Sequence, residues 1–207
     1  MRENNSIDSF RRDQWSETKL PFLCRLLLKL IRAGLSRGKV KKVLHRLWLL
    51  NCGDKPVDIT VRGARYRLDF RDNTPARQVL FSSYYDTKEL DLLYQASHSG
   101  GIFVDIGANI GYYTIDMAVR GVDVIAIEPN PAVVDRLLLN VDANSISSKV
   151  IVEQLCVAEP GVHALSFTGY GAGSLIALHG PGEEIQVKGD TLLSILIKHD
   201  ISMVSSL

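Results

Sequence analysis

An α/β fold built on a parallel sheet is what this 207-residue sequence predicts, and three observations predict it. Apolar runs of strand length alternate with runs of helix length between Ile102 and Val157. The first strand passes into a helix through a glycine-containing turn, Gly107 to Gly111. The second strand ends on a carboxylate, Glu128. Strand–helix–strand repetition calls for a parallel sheet with helices on its faces.

Residues 1–18 are polar. From Leu20 to Leu35 the spacing predicts a two-faced helix, with Phe22, Leu23, Leu26, Leu27, Leu30 and Ile31 on one side and Arg25, Lys29 and Arg32 on the other. Gly34 and Gly38 interrupt it. A second amphipathic helix is expected from Lys39 to Leu50, with Val40, Val43, Leu44 and Leu47 as its stripe. The apolar faces are expected to pack on the domain that follows; a contact of the basic face with a membrane surface is the rival expectation. Val57 to Val61 and Ala64 to Phe70 alternate around Arg62-Gly63, which signals a hairpin. Asp72 to Pro75 break the pattern, and Asp86 to Gln95 read as a helix ended by Ser99-Gly100-Gly101.

Strands are then expected at Ile102–Ile106, Val122–Ile127 and Val150–Val157. Helices are expected at Asn109–Val119 and from Pro131 to about Asn144. After Pro160 the pattern turns β-like and rich in glycine, at Gly169, Gly171 and Gly173. Thr191–His199 reads as a helix and Ile201–Leu207 as the start of a fourth apolar strand. This divides the chain into a basic helical arm, 1–54, and a sheet domain, 55–207.

Composition narrows the class. Hydrophobic residues make up 46% and charged residues 23%, as in soluble globular chains. The net charge of +1 hides an uneven spread: residues 1–50 hold 12 Lys/Arg against 4 Asp/Glu, which leaves the rest acidic. Cys24, Cys52 and Cys156 are far apart and lack nearby histidines. The sequence therefore predicts neither a zinc site nor a disulfide framework, and a cytoplasmic setting. Arg25, Lys29 and Arg32 break the only long apolar stretch, so it does not read as a bilayer span.

The segment Phe103 to Gly111 carries the chemistry. It joins strand to helix at the carboxyl end of the sheet, where open α/β folds bind ligands. Gly107 permits a sharp turn and close approach of a ligand to the backbone. Gly111, one helical turn on, permits close packing of helix on strand. Exposed N–H groups at the helix start would favour a negative group. The dinucleotide fingerprint fails, because Asn109 and Tyr112 stand where its second and third glycines belong. The methyltransferase pattern D-x-G-x-G-x-G is met by Asp105, Gly107 and Gly111, with Asn109 at the middle glycine. Asn tolerates left-handed backbone angles. Glu128 follows at the spacing from which an acid reaches ribose hydroxyls, and Asn130 reads as the N-cap of the next helix.

The run FVDIGANIGYYT, followed by AIEPNP, resembles the FkbM family of methyltransferases. The upstream hairpin, the RDNTPARQVL segment and the downstream TLLSIL helix extend the resemblance over roughly residues 55–207. It implies a Rossmann-like class I methyltransferase fold and methyl transfer from S-adenosylmethionine to a hydroxyl of a saccharide or other small molecule, with no nucleic acid expected. It further implies that Asp105 contacts the methionine end of the cofactor, that Gly107, Ala108 and Gly111 line it, that Asn109 shapes the loop and that Glu128 holds the ribose, with Asn130 beside it. Asp86 falls where that family has a glutamate. Because such proteins continue past the fourth strand, the resemblance also implies a fold incomplete at its C-terminus and a chain that is a poor catalyst or an inactive fragment.

An alcohol acceptor needs a general base. The sequence does not single one out: His98, His163, His179 and His199 are candidates by residue type alone. Tyr112 and Tyr113 are expected near the pocket wall, one of them in the core. A nicotinamide-dependent oxidoreductase is the alternative enzyme, and titration with S-adenosylhomocysteine against NAD separates the two.

Overall fold

The computed structural model describes residues 20–35, 38–52, 56–69, 74–82, 86–97, 100–167, 173–174 and 183–207. They form two compact units, one drawn from residues 1–61 and 65–85 and the other from residues 62–64 and 86–207. The sequence reading instead groups the hairpin with the sheet domain. The expectations at residues 1–18, Asp72, His98, Ser99, Gly169, Gly171 and His179 lie outside the described residues.

The first unit pairs helices with a hairpin. Helix α1 is Phe22–Leu30, continued by a π-helical turn, Ile31–Leu35; helix α2 is Gly38–Cys52; the hairpin is β1, Val57–Val61, with β2, Ala64–Leu68; helix α3 is Thr74–Phe81. Arg62 and Gly63 sit at φ 52° and 85° in the turn between the strands, the double positive φ that suits the twist of a two-residue hairpin. Trp48 is fully buried. It donates from Nε1 to the Cys24 carbonyl at 3.2 Å and meets Phe81 edge-on at 5.3 Å.

Two expectations fail in this unit. The buried side of α1 is Cys24, Leu27 and Leu28, running on to Ile31, whereas Phe22, Leu23 and Leu26 are exposed, as are Val40, Val43 and Leu47 of α2. Leucines stand all round this helix, so apolar spacing fits two adjacent faces equally well. Cys24 and Cys52 also pair as a disulfide, with Cα atoms 6.2 Å apart. The pairing joins α1 to the end of α2, two elements whose facing is not set by local pattern. Among the described residues no helix is long and apolar enough to cross a membrane.

The second unit holds the parallel sheet. Its strands are β3, Ile102–Ile106; β4, Val124–Ile127; β5, Val150–Glu153; and β10, Val204–Ser206, in the order β10-β3-β4-β5. Val124 to Ile127 are all buried, as expected for a strand covered on both faces. Helices α4 (Thr87–Ala96), α5 (Tyr112–Val119), α6 (Pro131–Ala143) and α7 (Leu192–Lys198) belong to the same unit. On one face Ile195 of α7 packs with Val104, Ile125 and Ile127. The chain crosses β3, β4 and β5 outward, then returns to lay β10 on the other side of β3. That reversal is a topological switch point, and its crevice lies beyond the carboxyl ends of β3 and β10. This is a Rossmann-like α/β arrangement.

The expected strand Val150–Val157 is two strands. After Glu153 the chain leaves the first sheet, and β6, Cys156–Val157, runs parallel to β9, Glu183–Asp190. With β7 (Gly161–Phe167) and β8 (Gly173–Ser174) they form a second sheet, in the order β6-β9-β7-β8. Cys156, Leu165 and Val187 make its small core. The switch depends on pairing with Gly189 and Asp190, more than thirty residues away.

Candidate active site

The turn after β3 is a loop through Gly111, and α5 starts only at Tyr112. The sequence reading begins that helix at Asn109. Gly107, Asn109 and Gly111 lie at φ 79°, 51° and 87°, so three of five successive residues sit in the left-handed region. Asn109 adopts there the conformation its side chain tolerates, and its Oδ1 accepts from the Ile110 N–H at 2.8 Å.

The two glycines do different work. A Cβ on Gly107 would meet nothing within 4 Å, so the backbone there faces open space at the switch-point crevice. A Cβ on Gly111 would lie 2.4 Å from Leu137 Cδ1 and 3.1 Å from Ile115 Cδ1. Gly111 therefore admits Leu137 of α6, rather than a strand as the sequence suggested. Asn140, fully buried on α6, donates from Nδ2 to the Ile110 carbonyl at 3.0 Å. Neither Leu137 nor Asn140 carries a signal in the motif itself.

The loop amides have internal partners, against the expectation of free donors. The N–H groups of Gly107 and Ala108 both donate to the Ile127 carbonyl, at 2.8 and 3.1 Å, and Gly111 donates to Ala108 at 2.8 Å. Asn109 donates to Glu128 Oε2 at 2.9 Å, while Asn130 donates to Glu128 Oε1 at 2.9 Å. Glu128 thus ties the glycine loop to the start of α6. Asn130 caps that helix, accepting from Ala132 at 3.1 Å as the sequence predicts. Asp105 Oδ2 accepts from both the hydroxyl and the N–H of Thr114, at 2.6 and 3.0 Å. Gly111 at the head of α5 has no side chain to cap it, so Asp105 does this from the strand.

Both carboxyls feel their burial. Burial pushes Asp105 above the usual carboxylate range, and the two Thr114 bonds pull it partly back. Burial likewise pushes Glu128 up, opposed by the N–H groups of Asn130 and Asn109 and reinforced by the Asp105 charge. Ile106 beside the loop is 45% exposed, an apolar side chain bared at a strand end. A crevice with an open glycine backbone, an exposed isoleucine and two acids fits a ligand with an apolar body, hydroxyl donors and positive charge. S-adenosylmethionine, with its sulfonium, ammonium and ribose, has that character.

The other sequence candidates scatter. Tyr112 is buried, as expected of one of the pair, and Tyr113 donates to Asp86 Oδ2 at 2.9 Å. Asp86, at φ 45°, heads α4, so it is brought to the helix that follows the loop. His163 lies in the second sheet, its Nε2 2.7 Å from the Glu159 carbonyl oxygen. His199 Nε2 is 2.5 Å from Glu153 Oε1, which Lys198 Nζ also reaches at 2.7 Å.

Sequence reasoning missed Glu153, whose partners come from a helix 45 residues away. Those partners hold its carboxyl below the ordinary glutamate range, against the opposing effect of burial. A depressed acid contributes stability above its unfolded pKa and loses it as pH falls through the folded one. Unfolding midpoints measured downward from pH 6 should therefore fall more steeply for the native chain than for Glu153→Gln. Parallel curves would remove this ion pair from the acid response.

The comparisons correct the family. The sequence profile that matches is that of the TRM5/TYW2 methyltransferase domain, over residues 60–159, just under half the chain; it replaces the FkbM resemblance. Pyrococcus horikoshii TYW2 in complex with MeSAdo is 24% identical, with TM-score 0.42 over 50% of this chain and 37% of that one. M. jannaschii TYW2 in complex with AdoMet is 25% identical, with TM-score 0.38 over 48% and 43%. A Pyrococcus abyssi tRNA (uracil-54, C5)-methyltransferase in complex with S-adenosyl-L-homocysteine is 18% identical, with TM-score 0.40 over 49% and 24%. The chain thus spans less than half of each of these solved chains. No curated protein matches. With the TRM5/TYW2 match in place of the FkbM resemblance, the expectation of a saccharide or small-molecule acceptor without nucleic acid loses its ground. Residues 60–159 thus match the TRM5/TYW2 methyltransferase domain, on a parallel sheet of Rossmann-like order.

Proposed function

We propose that this chain binds S-adenosylmethionine in the crevice beside Gly107 and transfers its methyl group to a nucleotide of tRNA. The observation that carries the reading is that the TRM5/TYW2 profile covers the whole glycine loop together with Glu128. In this reading Gly107 and Ala108 face the cofactor and Asn109 and Gly111 hold the loop in shape. Asp105 and Glu128 supply negative potential for the sulfonium and ammonium groups, Glu128 also takes the ribose hydroxyls, and Asn130 fixes Glu128. The methyl of a sulfonium is already activated, so catalysis is largely alignment of acceptor, methyl carbon and sulfur.

The test is methyl transfer from S-adenosylmethionine labelled in its methyl group, offered total tRNA or oligosaccharides by the purified chain. Label should enter the tRNA and not the saccharides. Cofactor binding without labelled RNA would overturn the tRNA acceptor. Failure to bind S-adenosylhomocysteine would overturn the cofactor site.

A further inference from the structure

We propose that a cationic recess in the first unit seats a phosphodiester of an RNA ligand, an inference that rests on the tRNA reading above. The recess has a volume of about 300 Å³ and is lined by Arg25, Lys29 and Arg32 of the first helical segment, with Leu20, Leu28 and, on β1, Asp58, Ile59 and Thr60. Arg25, Lys29 and Arg32 recur every three to four residues, so they line one side of the helix axis.

Each charged group on the wall has a defined state. Arg32 is anchored: its Nε donates to the Leu80 carbonyl at 3.0 Å, with a second, longer bond of 3.4 Å to Val79. Arg25 and Lys29 are exposed, and neither pairs with a carboxylate among the described residues. Asp58 would repel an anion, but Arg67 grips it at two points, Nε to Oδ1 at 2.6 Å and a terminal nitrogen to Oδ2 at 2.7 Å. That pair is internally neutral, which leaves three cations facing the recess.

The surrounding sequence has the same sign. From Thr18 to Gly53 the chain holds nine Lys/Arg and no Asp/Glu. The remainder of the protein is acidic, so this bias is local. A one-sign stretch of this kind is the electrostatic footprint of a polyanion partner. A concave wall of cations around a polar Thr60 suits a single phosphate group, which guanidinium and ammonium donors bind through charge-assisted hydrogen bonds.

The full chain, with Arg25→Ala/Lys29→Ala and the single variant Lys29→Gln beside it, tests this against fluorescently labelled tRNA between 50 and 300 mM salt. S-adenosylhomocysteine titration and thermal melting are followed in parallel. Each lost phosphate contact should lower the slope of log affinity against log salt by roughly 0.7 to 0.9. For the one phosphate seated here, the double variant should therefore lose about 0.7–0.9 in slope and bind about tenfold or more weakly, and the single variant a part of that slope, with melting and cofactor binding unchanged. Native binding to tRNA with unaltered slopes in both variants would overturn the recess and leave the tRNA reading standing. A native chain that neither binds nor methylates tRNA would overturn both. Salt-sensitive binding to phosphatidylserine vesicles, lost in the variants while tRNA binding persists, would assign the recess to lipid headgroups instead.

Discussion

Gly111→Ala should unfold this domain far more readily than Gly107→Ala, although both residues sit in the same loop at nearly the same φ. At Gly111 the new methyl would lie 2.4 Å from Leu137 Cδ1, and Leu137 is fully buried, so it has nowhere to retreat. Holding a Cβ in the left-handed region costs about 1–2 kcal/mol, and forcing a methyl into a filled core about 1–3 more. A loss of roughly 2–5 kcal/mol follows, on the order of 10 °C in melting temperature for a domain of this size. Gly107→Ala carries only the backbone cost, because its Cβ would meet nothing within 4 Å. Its methyl instead enters the open space where the proposed function places the cofactor, so S-adenosylhomocysteine should bind about tenfold or more weakly, at least ~1.4 kcal/mol. Thermal melts and calorimetric titration of the two variants separate packing from ligand approach. Equal melting temperatures would show that Leu137 repacks and that Gly111 is not held by the α6 contact.

The same contrast shows what the sequence carries and what it does not. The strands Ile102–Ile106 and Val124–Ile127 are legible because β-branched runs of that length, punctuated by glycine and separated by helical spacing, have few other homes. Asn109 is legible in its backbone because only a few residue types tolerate a positive φ, and Asn130 is legible as a cap because a proline follows it directly. Partners at a distance are not legible. Nothing in FVDIGANIGYYT announces that Leu137 fills the place of a Gly111 side chain, or that Asn140 holds the Ile110 carbonyl. The departure of the chain from the sheet after Glu153 depends on pairing with Gly189 and Asp190, and the exposed stripe of α1 on which leucine side packs against α2. The loop also misleads about family. A tight turn, a capped helix and an acid at the next strand end solve one local problem, and that solution serves several families with different acceptors. The acceptor is set by other parts of the chain.

Replacing Glu128 should cost stability and cofactor affinity by separate routes. The carboxylate takes the Asn109 N–H on one oxygen and the Asn130 N–H on the other, and the residue is 7% exposed. Hydrogen bonds to a charged group contribute about 1.5–3 kcal/mol each, and a buried donor left bare costs about 1–3. Against this, burial pushes the Glu128 carboxyl up, so the charge itself is a cost near neutral pH that its removal returns. A net loss of roughly 2–4 kcal/mol is expected for Glu128→Ala. Glu128→Gln should fall between, since its carbonyl oxygen still accepts one N–H while its NH₂ group confronts the other. A side chain that keeps a costly charge where a neutral amide would meet half its bonds points to a ligand that uses the charge. The ribose hydroxyls and the sulfonium of S-adenosylmethionine are such groups, and S-adenosylhomocysteine, without the sulfonium charge, isolates the first. Titrated at a temperature where all three proteins are folded, Glu128→Ala should bind S-adenosylhomocysteine about 1–3 kcal/mol more weakly than the native chain. A lowered melting temperature with unchanged affinity would leave Glu128 as a tether of the loop alone and remove it from the ribose.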